Sequence, residues 1–321
     1  MKILVTGAAG FIGSYVSHSL LGMGHEVTGI DNLNDYYDPA LKVSRLDSLR
    51  PLQGFEFIEM DLNEINSRKP ELGEFEIIIH LAAQAGVRYS IQNPFAYADS
   101  NLSGHLQVLE FARGHARSPL VIYASSSSVY GNNSTPPYKE TEFVNKPVSL
   151  YAATKIAGEA MSYSYASLYG LRQIGLRFFT VYGPWGRPDM AYWGFSDAIL
   201  SGKPIKVFNN GKLRRDFTYI DDIVDGITRI ATRGAHFENV PHKVYNIGNN
   251  KPVELMTFIE TLESALGKKA IKEFLPMQKG DVFETCADIA AISDDYGFKP
   301  TTDIKTGLQN FADWFLGWRE L

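Results

Sequence analysis

The segment of residues 2–21, KILVTGAAGFIGSYVSHSLL, restricts the fold of this chain more than any other part of the sequence. It starts as a short apolar strand, is interrupted at Gly7, and continues with apolar residues at helical spacing. Gly10 and Gly13 complete a pattern that permits a tight turn, a close approach of the backbone to a pyrophosphate, and packing of the helix on its strand. The free N–H groups of such a helix attract phosphate oxygens. The segment therefore predicts a dinucleotide-binding strand, turn and helix.

The next predicted strand begins at residue 25 and leads to Asp31, about twenty residues after the glycines. A carboxylate at this position accepts hydrogen bonds from the ribose hydroxyls of NAD and repels the 2′-phosphate of NADP. NAD is therefore the expected cofactor. Two alternatives stay open, because Asp31 also fits as the start of a polar turn, and the Arg45 guanidinium suits a 2′-phosphate.

Composition narrows the class of protein. With 321 residues, 45% hydrophobic and 21% charged, the chain has the make-up of a globular protein with a sizeable core. A net charge of -5 and the lack of a basic stripe argue against a nucleic-acid partner. Cys286 is the only cysteine, so no disulfide forms within the chain, which suits a reducing cytoplasm. The sequence shows neither a signal peptide nor an apolar run of the ~18 residues that a membrane span needs, so we expect no membrane partner. We also expect no metal ion.

Strands and helices alternate through the first half of the chain, with further strands predicted at residues 55–59, 76–80, 121–124 and 173–178. This alternation predicts an α/β fold, a Rossmann-type doubly wound parallel sheet. Ligands of such folds bind at the carboxyl ends of the strands. Asp61 follows one predicted strand end, and Ala82 and Ala83 follow another. We therefore expect all three at the cofactor site.

The predicted boundary of the cofactor domain follows residue 180, where a Gly/Pro-rich stretch ends the alternation. Residues 1–180 then form the NAD-binding domain, with a returning strand near residues 243–248, and residues 181–321 form a smaller, interlaced C-terminal α/β domain. Two long amphipathic helices, at residues 94–113 and 149–169, carry apolar stripes that one sheet face does not fully cover. A homodimer is therefore expected.

Tyr151 and Lys155 stand four residues apart at the start of the second long helix, so both side chains lie on one face. Of the 17 tyrosines, only Tyr151 has a lysine at this offset. A phenol is a poor base at neutral pH, but a nearby ammonium and a positively charged nicotinamide favour its phenolate. Tyr151 is therefore a candidate general base, with Lys155 on the nicotinamide ribose. Ser126, or its neighbours Ser127 and Ser128, can hydrogen-bond the same substrate oxygen.

A family resemblance rests on the segments TGAAGFIG, HLAAQAGVRYS, SSSSVYG, YAATK, LRFFTVYGPWGRPDM and RRDFTYIDD. Together they resemble the extended short-chain dehydrogenase/reductase family and, within it, the UDP-glucuronate 4-epimerases. The resemblance runs along nearly the whole chain. It implies an enzyme that binds NAD tightly, removes a hydride from carbon 4 of a nucleotide sugar, lets the 4-keto sugar rotate, and returns the hydride to its other face.

Single residues within these motifs distinguish among the relatives. Decarboxylases of this family have Glu at the position that corresponds to Ser128. The 4,6-dehydratases have an Asp-Glu pair at the positions that correspond to Ser127 and Ser128. Neutral UDP-galactose epimerases usually have Asn at Thr180. The hydroxyl of Thr180 and the guanidinium of Arg187 instead resemble the carboxylate clamp of the uronate epimerases.

The glycine fingerprint and the resemblance together imply a set of ligand-binding residues. Around NAD they imply Gly7, Gly10, Phe11, Ile12, Gly13, Asp31, Asn32, Asp61, Leu62, Leu81, Ala82, Ala83, Asn101, Tyr151, Lys155 and Phe178. Around the UDP-sugar they imply Arg88, Ser126, Thr180, Arg187, Val207, Phe208, Arg215, Gln278 and Asp281. The resemblance assigns Arg88 and Arg215 to the diphosphate, and Val207 and Phe208 to the uracil.

The leading interpretation is an NAD-dependent 4-epimerase that interconverts UDP-glucuronate and UDP-galacturonate. Two other enzymes stay open, a 4-epimerase of neutral or N-acetylated UDP-hexoses and a UDP-glucuronate decarboxylase. A further alternative is an NAD-binding sensor or scaffold with idle catalytic residues, which the intact serine, tyrosine and lysine disfavour.

Overall fold

The chain folds around one parallel β-sheet with helices on both faces. The structure is a computed structural model, and it describes residues 1–132, 135–235, 237–278 and 282–319. Its strands are β1 (Lys2–Thr6), β2 (Glu26–Asp31), β3 (Phe55–Glu59), β4 (Ile77–His80), β5 (Leu120–Ser126), β6 (Gln173–Phe178), β7 (Thr180–Tyr182), β8 (Pro204–Val207), β9 (Arg214–Arg215), β10 (Phe217–Tyr219), β11 (His242–Ile247), β12 (Val253–Glu254) and β13 (Ile271–Phe274).

The α-helices surround these strands. They are α1 (Phe11–Gly22), α2 (Pro39–Leu49), α3 (Lys69–Leu72), α4 (Tyr89–Gln92), α5 (Pro94–Tyr97), α6 (Gly104–Arg113), α7 (Leu150–Tyr169), α8 (Ala191–Leu200), α9 (Ile220–Arg233), α10 (Leu255–Leu266), α11 (Ala290–Tyr296) and α12 (Ile304–Arg319). None of the described helices is long and apolar enough to cross a membrane.

The central sheet has seven parallel strands in the order β11-β6-β5-β4-β1-β2-β3. The strand order reverses between β1 and β4, and ligands of doubly wound folds bind in the crevice at this point. The predicted Rossmann-type α/β fold is therefore confirmed. The returning strand is also confirmed as β11, which lies beside β6 with Ile247 opposite Phe178.

The inner strands β1 and β4 are buried along nearly their whole length because both faces of the sheet are covered there. In β1, Ile3 and Val5 face the apolar cluster that includes residues of α1, whereas Leu4 faces the cluster that includes residues of α6. This two-sided burial made most strands recognisable from the sequence as short continuous apolar runs.

Two predicted elements need correction. The predicted helix over residues 94–113 is interrupted, because a π-helical segment, Ala98–Ser103, separates α5 from α6. The strand predicted at residues 121–124 is longer, since β5 runs to Ser126, and Ser127–Tyr130 then forms a 3-10 turn. The first half of the serine tract thus belongs to the sheet.

The C-terminal strands form small pairs beside the central sheet. Strand β7 pairs with β10 and β8 with β13 in parallel, and β9 pairs with β12 in antiparallel. Elements that follow the predicted boundary at residue 180 pack with elements that precede it. Helix α9 packs on α1, and β11 joins the central sheet. One apolar cluster contains residues from both sides of it. We keep residues 181–321 as a proposed, interlaced substrate-binding part.

Candidate active site

The turn between β1 and α1 has the shape that a dinucleotide phosphate requires. Gly7 has a φ of 72°, and a side chain at Gly13 would place its Cβ 2.1 Å from the Gly7 carbonyl oxygen. Gly10 precedes α1 in an extended conformation, so the first N–H groups of the helix, from Phe11 and Ile12 onward, have no partner within the helix. The glycine turn therefore fits a pyrophosphate.

The predicted ribose and adenine ligands gather at the ends of β2 and β3. The Asp31 carboxylate accepts a hydrogen bond from the Leu33 N–H at 2.9 Å and lies 3.7 Å from the Lys42 ammonium. Asn32 donates to the Asp61 carboxylate at 2.7 Å, and that carboxylate also caps the turn that follows it. The structure thus brings Asp31, Asn32 and Asp61 together, and their contacts with the cofactor stay predictions.

Arg45 is not available for the 2′-phosphate of NADP. Its guanidinium donates five hydrogen bonds within the protein, to the carbonyl oxygens of Ala9, Trp185 and Gly186 and to the Tyr37 hydroxyl. The NADP alternative therefore loses the residue on which it depended.

The other predicted cofactor residues lie at the same edge of the sheet. Leu81, Ala82 and Ala83 form the start of the loop after β4, where small side chains leave space for a ligand. Phe178 ends β6, and Leu62 opens the short turn after β3. Their contacts with the cofactor also stay predictions.

The Asn101 side chain connects two elements of the fold through hydrogen bonds. Its Nδ2 donates to the Gln84 carbonyl oxygen and to the Thr154 hydroxyl, both at 3.0 Å. Its Oδ1 accepts from the Gln84 N–H at 2.8 Å. The amide therefore ties the loop after β4 to helix α7, and the predicted contact between Asn101 and NAD stays a prediction.

The three main catalytic candidates converge beside this loop. Tyr151 and Lys155 lie on the first two turns of α7, and Ser126 is the last residue of β5. The Ser126 hydroxyl lies near enough to the Tyr151 phenol to lower its pKa. The Lys155 ammonium lies 5.9 Å from the centre of the Tyr151 ring and donates to the Ala124 carbonyl oxygen at 2.9 Å. The structure thus brings together the serine, tyrosine and lysine that the sequence singled out.

Ser127 and Ser128 begin the 3-10 turn that follows β5. The Ser128 hydroxyl lies 3.2 Å from the Ser126 hydroxyl. Neither position carries a carboxylic acid, so the serine tract lacks the group that proton removal from carbon 5 would use.

Burial opposes charge at both Tyr151 and Lys155. It raises the pKa of the Tyr151 phenol, and this rise is opposed by the Ser126 hydroxyl and by the positive charge of Arg187. Burial, helped by Arg187 and opposed by Glu159, lowers the pKa of Lys155 to about 8. Arg187 is therefore a cation that lowers the Tyr151 pKa. The prediction that the Lys155 ammonium and the nicotinamide favour the phenolate stays a prediction.

Replacing Lys155 by Met is expected to remove activity yet stabilise the protein after its NAD is stripped. The Lys155 pKa is about 8 when folded, against 10.5 as the ordinary value, so the folded state binds fewer protons between these values. The free energy of unfolding therefore rises with pH across this window. Below about pH 8 the ammonium is charged in the folded state, and its burial lowers the free energy of unfolding by the full amount. Methionine carries no charge, so Lys155→Met should raise the free energy of unfolding there by about 1–3 kcal/mol.

Melting temperatures at about pH 7 and about pH 10 check this expectation, since the gain from Lys155→Met shrinks as the pH rises through the window. Lys203→Met, at an exposed lysine, is the control and changes little at either pH. A Lys155→Met protein that melts below its parent at the lower pH contradicts the account.

The positive charge of Arg187 lowers the pKa of both catalytic candidates, Tyr151 and Lys155. Its side chain is 25% exposed and forms a two-pronged pair with Asp189, through Nε at 2.9 Å and Nη2 at 2.7 Å. Burial is the largest single influence on the Arg187 pKa and lowers it, but Asp189, Tyr151 and Tyr36 together outweigh burial and raise that pKa. Asp189 also accepts from the Tyr36 hydroxyl at 3.2 Å. Since no described residue accepts from Nη1, that edge of the guanidinium suits a second carboxylate.

The predicted uracil and diphosphate residues form a second group. Arg88 hydrogen-bonds Gln278, and its guanidinium lies 5.5 Å from the centre of the Phe208 ring. Val207 is buried at the end of β8, directly before Phe208. The structure therefore brings Arg88, Phe208 and Gln278 together, as one site for a nucleotide would require.

The remaining substrate candidates are placed less directly. Thr180 begins β7, two residues after the end of β6. The Arg215 guanidinium donates to the Phe283 carbonyl oxygen at 3.1 Å, so part of it serves the fold. Asp281 lies outside the described residues, and its role stays a prediction.

Sequence reasoning missed a buried ion pair that supports the serine tract. Arg177 donates to the Glu159 carboxylate at 2.9 and 2.8 Å, and both side chains are almost inaccessible. Glu159 also accepts from the Ser125 hydroxyl at 2.5 Å, which fixes the residue next to Ser126. The one signal in the sequence was spacing, because Glu159 follows Lys155 by four residues on the same face of α7.

The chain matches one protein-family model over most of its length. The model describes the NAD dependent epimerase/dehydratase family and matches residues 3–248. This chain belongs to that family. The matched region contains the glycine turn, the serine tract and the pair Tyr151 and Lys155, so the family resemblance found in the sequence is confirmed. The expectation of NAD is confirmed with it.

Proteins with known names resemble the chain over nearly its whole length. The "Probable UDP-glucuronate 4-epimerase" of Rhizobium meliloti is 45% identical, and the alignment covers 98% of this chain and 97% of the relative. The UDP-glucuronic acid 4-epimerase from Bacillus cereus, solved in complex with UDP-glucuronic acid and NAD, is 35% identical with a TM-score of 0.92, covering 99% of this chain and 100% of that one. The UDP-glucose 4-epimerase from Thermotoga maritima, solved with UDP-glucose, is 29% identical with a TM-score of 0.87, covering 99% and 100%.

Proposed function

We propose that this chain is an NAD-dependent 4-epimerase that interconverts UDP-glucuronate and UDP-galacturonate. One observation carries the proposal: the Arg187 guanidinium, which suits a carboxylate, lies within electrostatic reach of the Tyr151 phenol, which suits the neighbouring hydroxyl at carbon 4. The relatives named above as UDP-glucuronate 4-epimerases support the same substrate.

In the proposed reaction, different residues of the chain act on the hydroxyl group at carbon 4 and on the cofactor. Bound NAD supplies the hydride acceptor. The Tyr151 phenolate takes the hydroxyl proton, the Ser126 hydroxyl holds the same oxygen, and Lys155 holds the cofactor ribose in place. After the sugar rotates, the Tyr151 phenol returns the proton. Because the hydride and the proton both come back, the product is an epimer and nothing is oxidised net.

In this proposal Arg187 and Thr180 prevent a side reaction, the loss of CO2, that is specific to uronates. Once carbon 4 is a ketone, the sugar is a β-keto acid, and CO2 leaves when the bond to the carboxylate lies along the carbonyl π-orbital. A bidentate hold by Arg187, itself oriented by Asp189, keeps the carboxylate out of that alignment.

An NMR assay of the sugar protons tests the proposal. Protein with bound NAD is incubated separately with UDP-glucuronate, UDP-glucose and UDP-N-acetylglucosamine. We expect galacto product from UDP-glucuronate at a rate at least about tenfold above that from either neutral sugar. Faster turnover of a neutral sugar would identify the second candidate, an epimerase of neutral or N-acetylated UDP-hexoses. A pentose product alone would identify a decarboxylase, and no turnover at all would leave only a sensor or scaffold.

We also propose that two copies of the chain pair through the helices α5, α6 and α7. These helices carry large apolar side chains in solvent, with Phe95 82%, Leu106 41%, Tyr163 53% and Leu168 69% exposed. Exposed apolar surface on neighbouring helices is typical of subunit contacts with two-fold symmetry. A second copy of the same surface would cover it.

The double variant Phe95→Asp, Leu106→Asp is expected to be monomeric, because a pair of charges on this surface opposes its burial. Light scattering coupled to gel filtration measures the mass, which should be twice the chain mass for the parent and once for the variant. Phe274→Asp, at an exposed residue of β13, is the control. A parent protein that elutes as a monomer would contradict the proposed pairing.

A further inference from the structure

Arg45 joins two loops that lie far apart in the sequence. From helix α2, its Nη1 donates to the Ala9 carbonyl oxygen in the glycine turn at 3.0 Å and to the Tyr37 hydroxyl at 2.7 Å. Its Nε donates to the Trp185 carbonyl oxygen at 3.1 Å, and its Nη2 donates to the carbonyl oxygens of Trp185 and Gly186 at 2.5 and 3.0 Å. The side chain is 2% exposed. All three guanidinium nitrogens therefore serve the fold, and none is left for a ligand.

Two of the three carbonyl groups that accept from Arg45, those of Trp185 and Gly186, come directly before Arg187 in the chain. Trp185 has a φ of 59°, a left-handed conformation that a bulky residue keeps only when its surroundings hold it. Gly186 packs so closely that a Cβ there would lie 2.2 Å from the Tyr192 hydroxyl oxygen. The same oxygen accepts from the Arg187 N–H at 3.3 Å. The backbone that presents Arg187 is therefore held by contacts on both sides.

We propose that Arg45 is a positioning residue for the carboxylate clamp, one that fixes the Arg187 loop to the dinucleotide-binding turn. The inference rests on the proposed function, because it takes Arg187 to hold the substrate carboxylate. It makes the clamp and the cofactor turn a single rigid unit, so that the carboxylate is held still relative to the carbon that loses and regains hydride. Misplacement of a positioning group by ~1 Å can cost on the order of a hundredfold in rate.

Lysine cannot replace Arg45 in this role. Its charge is the same, but its donors stem from one nitrogen and cannot span the distance between Ala9 on one loop and Gly186 on the other. Arg45→Lys therefore keeps the charge at this position and removes the bridge. The change separates a geometric role from an electrostatic one.

The test compares Arg45→Lys with the parent, both loaded with NAD, and counts turnover per NAD-bound site. KM for UDP-glucuronate and the ratio of pentose to epimer product are each expected to rise on the order of tenfold. Inhibition by UDP alone is expected to stay within about twofold, because UDP does not reach the clamp. Arg50→Lys, at an exposed arginine at the end of the same helix, is the matched control and should leave all three values unchanged.

A merely structural role would lower the melting temperature and the active fraction, but not the product ratio. Parental KM and product ratio in Arg45→Lys would therefore overturn the inference while the proposed function stands. A parent that makes no epimer from UDP-glucuronate would overturn the proposed function itself. If Arg45→Lys does not fold, the variant Tyr37→Phe replaces it in the test, because it removes the hydroxyl that accepts a hydrogen bond from Arg45. A raised pentose fraction in Tyr37→Phe supports the inference, and an unchanged one overturns it.

Discussion

Tyr151→Phe is expected to lower turnover of UDP-glucuronate by about 10³-fold while NAD and substrate still bind. Phenylalanine removes the group that takes and returns the proton at carbon 4. It keeps the aromatic ring, which packs edge-on against Tyr97 with the ring centres 6.1 Å apart. The NMR assay measures turnover, and calorimetric titration with UDP-glucuronate measures binding.

Tyr163→Phe is the matched control, because it removes a phenol from the exposed side of the same helix. It should leave turnover unchanged. If Tyr151→Phe retained more than about a tenth of parental turnover, another group would have to act as the base, and the assignment of Tyr151 would fail.

Arg187→Ala is expected to weaken UDP-glucuronate binding by about a hundredfold and to divert part of the product to a pentose. The loss of a charged hydrogen-bonding partner accounts for the weaker binding, at about 2–3 kcal/mol. Without the guanidinium, the carboxylate of the 4-keto sugar is free to align with the carbonyl and leave as CO2. Product analysis by NMR separates the two outcomes.

The same substitution should shift the pH dependence of turnover. Arg187 lowers the pKa of the Tyr151 phenol, so its removal raises that pKa and moves the acid limb of the profile to higher pH. Arg229→Ala is the control, since Arg229 also pairs with an aspartate, Asp225, at 2.6 Å. Equal losses on UDP-glucuronate and UDP-glucose, with no pentose, would show that Arg187 does not hold the carboxylate.

Those parts of the fold and site that depend on local pattern were predictable. Strands β3 and β6 have the predicted bounds. In each, apolar residues recur along a short extended segment. The glycine turn follows from its spacing, and Tyr151 and Lys155 follow from theirs. The family resemblance added most of the remaining ligand candidates, which no periodicity would have selected.

Partnerships between distant residues were not predictable. Nothing in the sequence near Arg45 shows that it reaches Trp185, and no spacing pairs Tyr36 with Asp189. The rise in the Tyr151 pKa was missed for the same reason, since burial depends on every element that packs around the phenol. A reducing cytoplasm rests only on the single cysteine in the sequence and remains a prediction.

The fate of a hydrogen label at carbon 4 tests the central claim most directly. UDP-glucuronate with deuterium at carbon 4 is incubated with the NAD-loaded protein in ordinary water, and the UDP-galacturonate formed is examined by NMR and mass spectrometry. If hydride leaves and returns to the same carbon within one closed site, the product retains the deuterium. Loss of the deuterium to solvent, or release of a labelled reduced cofactor instead of an epimer, would contradict the account.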